Sequence, residues 1–366
     1  MWRWLDLDAI GPIDTQTIYD AVATARGKGF VGDTLIFCYP RSPLVSLGYH
    51  QQIEKEVDVQ FCRDNGIPFV RRILGGGAVY LDRGQLFYQL IIGPENPMLP
   101  KNVTEAFRFF LQAPVWTYQS LGIDAHYRPV NDIQVRGKKI SGNGAATTDE
   151  GVFVLTGNII LSFDYEKMVR VLKVPSEKFR DKVYKTLREY LSTASMELGR
   201  EVTLDESKKA LKNGFERLLG EELLPGILTP EEQKLMYELR VRYLSEEWLY
   251  MPELRHPDVA GRTLKIAEGV SIIENAHKAP GGLIRTTVKI QNERIADALI
   301  SGDFSLFPRE KIVLIEQALV GCRLNKEDVL SRISRVYSEH SLESPGIQPD
   351  DFASALLAAE KAPFQS

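Results

Sequence analysis

The sequence predicts an α+β protein: a mixed or antiparallel sheet with flanking helices, then a helical stretch, then a small second α+β unit. Three observations predict this. Short alternating apolar runs continue to about residue 163, apolar residues then recur every three or four positions over about 164–250, and short strands and helices return afterwards. The predicted parts are a first domain over 1–250, a linker over 251–262, an accessory domain over 263–345 and a tail over 346–366. Proline, serine and alanine in the tail predict fraying.

The first domain contains most of the predicted strands. Polar residues begin a helix over 14–28, and Gly27 lies near its end. Two further helices are expected over 57–66 and over 104–121, the second capped by Thr104 and kinked or split by Pro114. The expected strands are 34–40, 44–50, 67–73, 78–82, 85–92 and 152–163, together with a hairpin over 132–141 that turns at Arg136-Gly137.

The rest of the chain shows less of the alternation between apolar and polar residues that is typical of strands. Residues 164–250 carry four amphipathic helical patterns whose charges are expected to face solvent. The accessory domain is expected to contain strands over 281–292 and 294–304, followed by helices over 309–321 and 325–338. This order of elements predicts a small unit with its own core.

Composition excludes several classes of protein. Hydrophobic residues make up 44% and charged residues 26% of the 366 residues, and the net charge of −4 does not favour a nucleic-acid partner. The N-terminus has no signal-peptide pattern, and no run of about 18 apolar residues predicts a membrane span. The cysteines Cys38, Cys62 and Cys322 are too scattered for a zinc site or a disulfide framework. We therefore expect a cytoplasmic protein with no membrane or nucleic-acid partner.

The first segment whose residue types suggest a ligand-binding or catalytic role is Val70–Asp82, in which Arg71 and Arg72 precede three glycines. Glycines at a strand end let backbone N–H groups approach an anion, because no Cβ intervenes. Arginine adds a planar positive group suited to phosphate or carboxylate. The same pattern also fits a structural turn, and it is neither a Walker loop nor a dinucleotide fingerprint.

The second segment is Asn131–Gly142, which contains the pair Lys138-Lys139. Strand alternation sends adjacent side chains to opposite faces, so one lysine can be solvated while the other enters a pocket. A lysine in a pocket can hold an α-phosphate and an acyl carbonyl together. Two surface lysines on a hairpin remain the alternative interpretation.

Taken together, the motifs R-R-x-x-G-G-G-A-V-Y-x-D, N-D-I and G-K-K-I-S-G, in this order, resemble the lipoate–protein ligase family. That family shares its catalytic fold with biotin–protein ligases and with octanoyl and lipoyl transferases. Residues 44–51 resemble the strand that helps line the acyl pocket. Residues 281–308 resemble the accessory C-terminal domain of long-form ligases, and 243–250 resemble its entry.

The resemblance implies roles for particular residues. Lys139 would be the catalytic lysine that contacts the acyl carbonyl and the phosphate. Asp132 would face the nucleotide, as a candidate either to hold Mg²⁺ or to orient Lys139. The residues implied to bind ATP are Arg72, Gly75, Gly76, Gly77, Ala78, Val79, Tyr80, Asn131, Asp132 and Lys139.

The activity implied is ATP- and Mg²⁺-dependent ligation of lipoate, or octanoate, to a carrier lysine through an acyl-AMP intermediate. The implied acceptor is a glycine-cleavage H protein, a lipoyl domain of a 2-oxoacid dehydrogenase, or a specialised lipoate carrier. Leu74, Leu81 and the absence of a histidine pair at 155–156 depart from the family pattern. Two alternatives stay open: an octanoyl or lipoyl transferase that needs no ATP, and a non-catalytic lipoyl-binding regulatory module. Transferases of the family use a cysteine downstream of the lysine motif, and no cysteine lies between Cys62 and Cys322.

Overall fold

A computed structural model describes residues 1–259 and 270–358. The chain forms two compact units. Unit 1 comprises Met1–Leu47, Glu56–Ile73 and Ala78–Leu244. Unit 2 comprises Gly48–Lys55, Leu74–Gly77 and the chain from Ser245 onward.

Unit 1 is built on two sheets, whose strands are β1 (Trp2–Ile10), β2 (Thr34–Pro40), β3 (Leu44–Leu47), β4 (Phe69–Arg71), β5 (Val79–Leu81), β6 (Gln85–Ile92), β7 (His126–Arg128), β8 (Asp132–Val135), β9 (Lys138–Thr147), β10 (Phe153–Ile160) and β11 (Leu223–Pro225). The large sheet has the order β11-β1-β2-β6-β10-β9-β8-β7, and the small sheet has the order β4-β3-β5. Strand β1 pairs in parallel with β2 and β11, and β3 pairs in parallel with β4, whereas the remaining pairs are antiparallel. The predicted mixed sheet is confirmed.

The helices up to Leu244 are α1 (Asp14–Gly27), α2 (Ile53–Glu56), α3 (Val59–Asp64), α4 (Val103–Phe110), α5 (Gln112–Ser120), α6 (Tyr165–Val171), α7 (Glu177–Tyr190), α8 (Ala194–Leu198), α9 (Leu204–Leu219) and α10 (Pro230–Leu244). Ten residues of α1 and all eight of β6 are buried, which places the core of unit 1 at the centre of the large sheet. Desolvation of such apolar area is the main stabilising contribution to the fold.

Several local predictions differ from the structure. Asn102, not Thr104, caps α4, because its side chain accepts the Glu105 N–H at 2.9 Å. The expected split of the helix over 104–121 is confirmed, since α4 ends at Phe110 and α5 begins at Gln112, but Pro114 lies in the first turn of α5, where a missing N–H costs little. The expected helix over 57–66 is shorter, as Asp58 caps α3. Strand β1 was not predicted, since the adjacent apolar residues Trp4 and Leu5 interrupt its alternation.

Unit 2 contains α11 (Glu246–Leu249), α12 (Met251–Arg255), β12 (Val270–Ala279), β13 (Gly282–Gln291), β14 (Arg294–Gly302), a 3-10 turn (Arg309–Lys311), α13 (Ile312–Leu319), α14 (Lys326–His340) and α15 (Pro349–Leu357). Its three strands form an antiparallel sheet in the order β12-β13-β14, which packs with the helices around a core of its own. Strand β12 was not predicted. The fraying expected for the tail is wrong over Pro349–Leu357, because α15 buries Phe352 and Leu356 in that core.

The predicted domain boundaries stay predictions, and the end of the expected linker, 260–262, lies outside the described residues. None of the helices within 1–259 and 270–358 has the length and apolar character that crossing a bilayer requires.

Candidate active site

The β8–β9 hairpin carries the predicted lysine pair. Its turn residues Arg136 and Gly137 have φ values of 50° and 76°, as a two-residue hairpin turn with the twist of its strands requires. In the register, Lys139 lies opposite Gln134 and Asp132 lies opposite Gly142, with an irregularity between these pairs. The offset brings Asp132 and Lys139 together on one face of the sheet.

Lys139 forms an ion pair with Asp132, with 2.6 Å between Nζ and Oδ1. The two side chains are 28% and 18% exposed, so the pair is partly shielded but still open to a ligand. The Tyr190 hydroxyl donates to the other oxygen of Asp132 at 3.4 Å. Lys138 has a different environment, because its Nζ donates to the Arg188 carbonyl at 3.3 Å in an exposed position. The two lysines are therefore chemically distinct.

Asn131 anchors the turn that precedes β8. Its side chain donates to the Asn143 carbonyl, and the Asn143 side chain donates in return to the Asn131 carbonyl at 2.8 Å. The Tyr88 hydroxyl donates to Asn143 Oδ1. A Cβ at position 157 would overlap both the Asn143 side chain and the Tyr88 hydroxyl, so Gly157 permits this arrangement. Asn131 is thus engaged in fixing the backbone beside Asp132, and its predicted nucleotide contact stays a prediction.

Arg72 follows the small sheet of unit 1. Its Nη1 donates to the Ser46 carbonyl at 2.8 Å, and its backbone N–H donates to the Leu47 carbonyl at 2.9 Å. Burial lowers the pKa of the Arg72 guanidinium to about 10, which leaves it charged at neutral pH. The group is therefore a fixed, partly desolvated cation.

The three glycines belong to unit 2, whereas Arg72 and Ala78 belong to unit 1. The Gly76 N–H donates to the Phe304 carbonyl at 3.2 Å, and its φ of 88° favours glycine. A Cβ on Gly75 would overlap the Phe304 carbonyl. Close backbone packing inside unit 2 therefore explains glycine at 75 and 76, and their role in holding phosphate remains a prediction.

Ala78, Val79 and Tyr80 lead into and form β5, where Val79 is exposed and Tyr80 is buried. The Tyr80 carbonyl accepts the Gln85 side chain at 3.2 Å. Gln85 Oε1 accepts the Asn158 side-chain amide at 2.8 Å, and Asn158 Oδ1 accepts the Gly142 N–H at 2.9 Å. This chain of contacts joins the two motif segments within unit 1.

Gln85 and Asn158 were not among the predicted site residues. A glutamine that opens the buried run QLFYQLII is the sequence signal that could have drawn attention to Gln85. Asn158 interrupts an apolar strand in the same way. Polar side chains that are buried, as Gln85 is, or half-buried, as Asn158 is, need partners, so each position indicates a specific contact.

The cysteines and the acidic residues limit the possible chemistry. All three cysteines are buried, and burial raises the pKa of the Cys62 thiol to about 11 and that of Cys38 still further. No cluster of three His, Cys, Asp or Glu side chains within the described ranges could hold a metal ion. Asp132 supplies one carboxylate beside Lys139, which fits Mg²⁺ only when phosphate oxygens complete the coordination.

Comparisons with known proteins address the same regions. A model of the lipoyl protein ligase A/B catalytic domain matches residues 12–216, and a model of the bacterial lipoate protein ligase C-terminus matches 272–356. The octanoyltransferase LipM of Kyrpidia tusciae is 32% identical over 271 residues, 68% of this chain and 98% of that protein. A solved bipartite lipoate protein ligase from Thermoplasma acidophilum, described with its E2 lipoyl domain, is 32% identical with a TM-score of 0.60, covering 68% of this chain and 95% of that one. A lipoate-protein ligase A bound with ATP is 28% identical with a TM-score of 0.58, covering 68% and 98%.

These matches confirm the resemblance inferred from the two motif segments. The catalytic-domain match spans more than half of the chain, and the second match falls in unit 2. The relatives carry the names of both ligases and octanoyltransferases. The chain is an enzyme of the lipoate–protein ligase family.

Proposed function

We propose that the chain attaches a lipoyl or octanoyl group to a lysine of a carrier protein, using ATP and an acyl-adenylate intermediate. The observation that carries the proposal is the Lys139–Asp132 pair, which holds one ammonium group in a partly shielded position on the face of the large sheet. A cation fixed in this way before substrate arrives costs no reorganisation during the reaction.

In the first half-reaction, a carboxylate oxygen of the fatty acid attacks the α-phosphorus of ATP. The new oxygen–phosphorus bond replaces the bond to the leaving pyrophosphate, and negative charge spreads over the phosphoryl oxygens. Lys139 supplies positive charge to those oxygens, and Arg72 supplies a second cation suited to carboxylate or phosphate. Neither residue forms a covalent bond to substrate.

In the second half-reaction, the carrier lysine attacks the acyl carbonyl as a neutral amine. The new amide bond replaces the bond to AMP, and the amine releases one proton. Lys139 would remain close to both the carbonyl and the phosphate, so one side chain serves both steps. Leu44 on β3 and Ile140 within the second motif segment are both fully buried in unit 1 and are apolar candidates to line the acyl slot.

ATP and Mg²⁺ would enter together as substrate. Asp132 offers one carboxylate, and Mg²⁺ is commonly held by one or two carboxylates, phosphate oxygens and water. Because Asp132 is paired with Lys139, the ion would share this carboxylate with the ammonium. The solved relative described as bound with ATP supports this proposal, and the Thermoplasma ligase described with an E2 lipoyl domain supports a lipoyl domain as the acceptor.

A second candidate is octanoyl transfer between carriers without ATP. The names of the curated relatives favour it. A covalent acyl-enzyme of the usual kind needs a reactive thiolate, and the burial of Cys38, Cys62 and Cys322 opposes that route. The transfer that remains is direct attack of the acceptor lysine on the thioester of the donor carrier.

One experiment separates the two candidates. The purified chain is incubated with apo H protein, an apo E2 lipoyl domain and other apo carriers under two conditions. The first supplies ATP, Mg²⁺ and free lipoate or free octanoate. The second supplies an octanoyl carrier and no ATP. Pyrophosphate release together with an acyl mass shift on a carrier supports the ligase. A mass shift that occurs only with the octanoyl carrier as donor supports the transferase and contradicts the ligase. No mass shift on any carrier under either condition contradicts both.

A further inference from the structure

The large sheet opens where Lys139 lies. Strand β10 pairs with β9 as far as the Gly157–Asn143 pair, while its pairing with β6 continues through Asn158 to Ile160. Beyond Asn143, the edge of β9 is taken up instead by the segment after α7: Ser192 N–H donates to the Lys139 carbonyl at 2.8 Å. Strands β9 and β10 therefore separate into a fork, and Lys139 lies on the diverging arm.

A side chain occupies the base of this fork. The Gly142 N–H would meet the β10 main chain in a regular antiparallel ladder, but it donates to Asn158 Oδ1 at 2.9 Å. The other end of the same amide donates to Gln85 Oε1 at 2.8 Å, and Gln85 donates onward to the Tyr80 carbonyl at 3.2 Å. Asn158 thus replaces a main-chain contact and satisfies Gly142 without closing the sheet.

The fork base is adjacent to the Lys139 side chain. A Cβ built on Gly142 would lie 3.4 Å from Lys139 Cε, 3.7 Å from its Nζ and 4.0 Å from Asn158 Oδ1. The lysine stem therefore passes directly over Gly142. Any movement of the Gly142 backbone moves the surface on which Lys139 rests.

We infer that Asn158, supported by Gln85, is a positioning residue for Lys139: it keeps β9 and β10 apart so that the ammonium remains beside Asp132. The inference rests on the proposed role of Lys139 in acyl transfer. Misplacing a reacting group by about 1 Å can reduce a rate by about 100-fold. The role predicts a loss in kcat with less change in the KM for the acid, because Asn158 acts through Lys139.

The test uses the full-length chain and the isosteric variant Asn158→Leu, with Gln85→Leu as a second variant. We expect kcat for carrier acylation to fall about 10- to 100-fold in Asn158→Leu, and by a smaller factor in Gln85→Leu, while KM for octanoate changes less than threefold. The double variant should be no slower than Asn158→Leu alone, since both act through one chain of contacts. The inference would be overturned if KM for octanoate rose by as large a factor as kcat fell, or if the losses in kcat of the two single variants added up in the double variant.

Asn275→Leu in unit 2 is a matched control, because Asn275 is also a half-buried strand asparagine whose amide donates to a backbone carbonyl, that of Leu356, at 3.0 Å. It should lower the melting temperature without altering kcat. Hydrogen exchange gives a readout that needs no activity: amides over 138–146 should exchange faster in Asn158→Leu than in the wild type, and amides of β6 should not change. If the wild-type chain acylates no carrier, the proposed function fails. The inferred role of Asn158 is refuted separately, if amides over 138–146 exchange at the same rate in Asn158→Leu as in the wild type. Loss of activity with unchanged exchange also overturns the inference.

Discussion

Replacing Lys139 with alanine separates catalysis from stability. The Lys139–Asp132 pair is 28% and 18% exposed, and pairs of this kind stabilise a fold by about 1 kcal/mol or less. A preorganised charge that acts on the transition state contributes far more, about 3–4 kcal/mol, which corresponds to a rate loss of roughly 100- to 1,000-fold. We therefore expect kcat for carrier acylation to fall at least 100-fold in Lys139→Ala, while the melting temperature of this variant falls by only a few degrees.

The assay is the initial rate of the acyl mass shift on a carrier in excess over the enzyme, with thermal unfolding followed by circular dichroism. Lys138→Ala is the matched control, because Lys138 is the neighbouring hairpin lysine and donates to the Arg188 carbonyl in an exposed position. It should retain most of the wild-type rate. A Lys139→Ala variant that acylates a carrier at near wild-type rate would refute the assignment, as would a Lys138→Ala variant with the larger loss.

Three further predictions concern other parts of the molecule. Burial lowers the pKa of His256, but hydrogen bonds to Asp297 and Glu316 raise this pKa more, to about 9. Protonated His256 should therefore contribute at most about 3 kcal/mol to the free energy of unfolding below pH 6.5, and this stabilisation should be lost as pH rises through 9. His256→Gln should remove this slope from the pH dependence of unfolding. Gly157→Ala should lower the free energy of unfolding by about 1–3 kcal/mol in denaturant titrations, because the added methyl overlaps Asn143 and Tyr88, whereas an unchanged midpoint would show that the site tolerates the methyl. Because the cysteines are buried, N-ethylmaleimide should leave the acylation rate of the native protein unchanged, and rapid inactivation would favour a thioester route.

The sequence predicted the elements whose signals are local. The Arg136-Gly137 turn, the buried run of β6 and the break near Pro114 follow from residue types at known positions. Strand β1 was missed because mixed polar and apolar residues form a strand there through pairing with β2 and with the distant β11. Strand β12 was missed because polar residues interrupt its apolar pattern, although its partner β13 follows directly in the chain. The Asn102 cap was missed because threonine is also a common cap residue, and the backbone geometry that selects Asn102 over Thr104 is not visible in the sequence.

The candidate site was predicted in part for the same reason. Lys139 and Asp132 are seven residues apart, and one hairpin with a register irregularity is enough to bring them together. The glycines could not be placed from sequence, since the contact of Gly76 with Phe304 joins positions more than 200 residues apart. Asn158 and Gln85 depend on where β10 leaves β9, which no local pattern encodes.

The departures from the family pattern have a physical explanation in the packing. Leu81 is 8% exposed and Leu155 is fully buried on β10, between Leu90 and Ala145 of the neighbouring strands. A polar side chain in place of Leu81, or a histidine in place of Leu155, would have to be buried, which is costly without a partner. These leucines therefore belong to the core, and their apolar character does not argue against catalysis. Polar side chains lie close to both leucines in the chain: Asn158 follows Leu155 on β10, and Gln85 begins β6 just after Leu81. Asn158 accepts the Gly142 N–H of the lysine strand and donates to Gln85, so polar contacts remain near the proposed centre at Lys139.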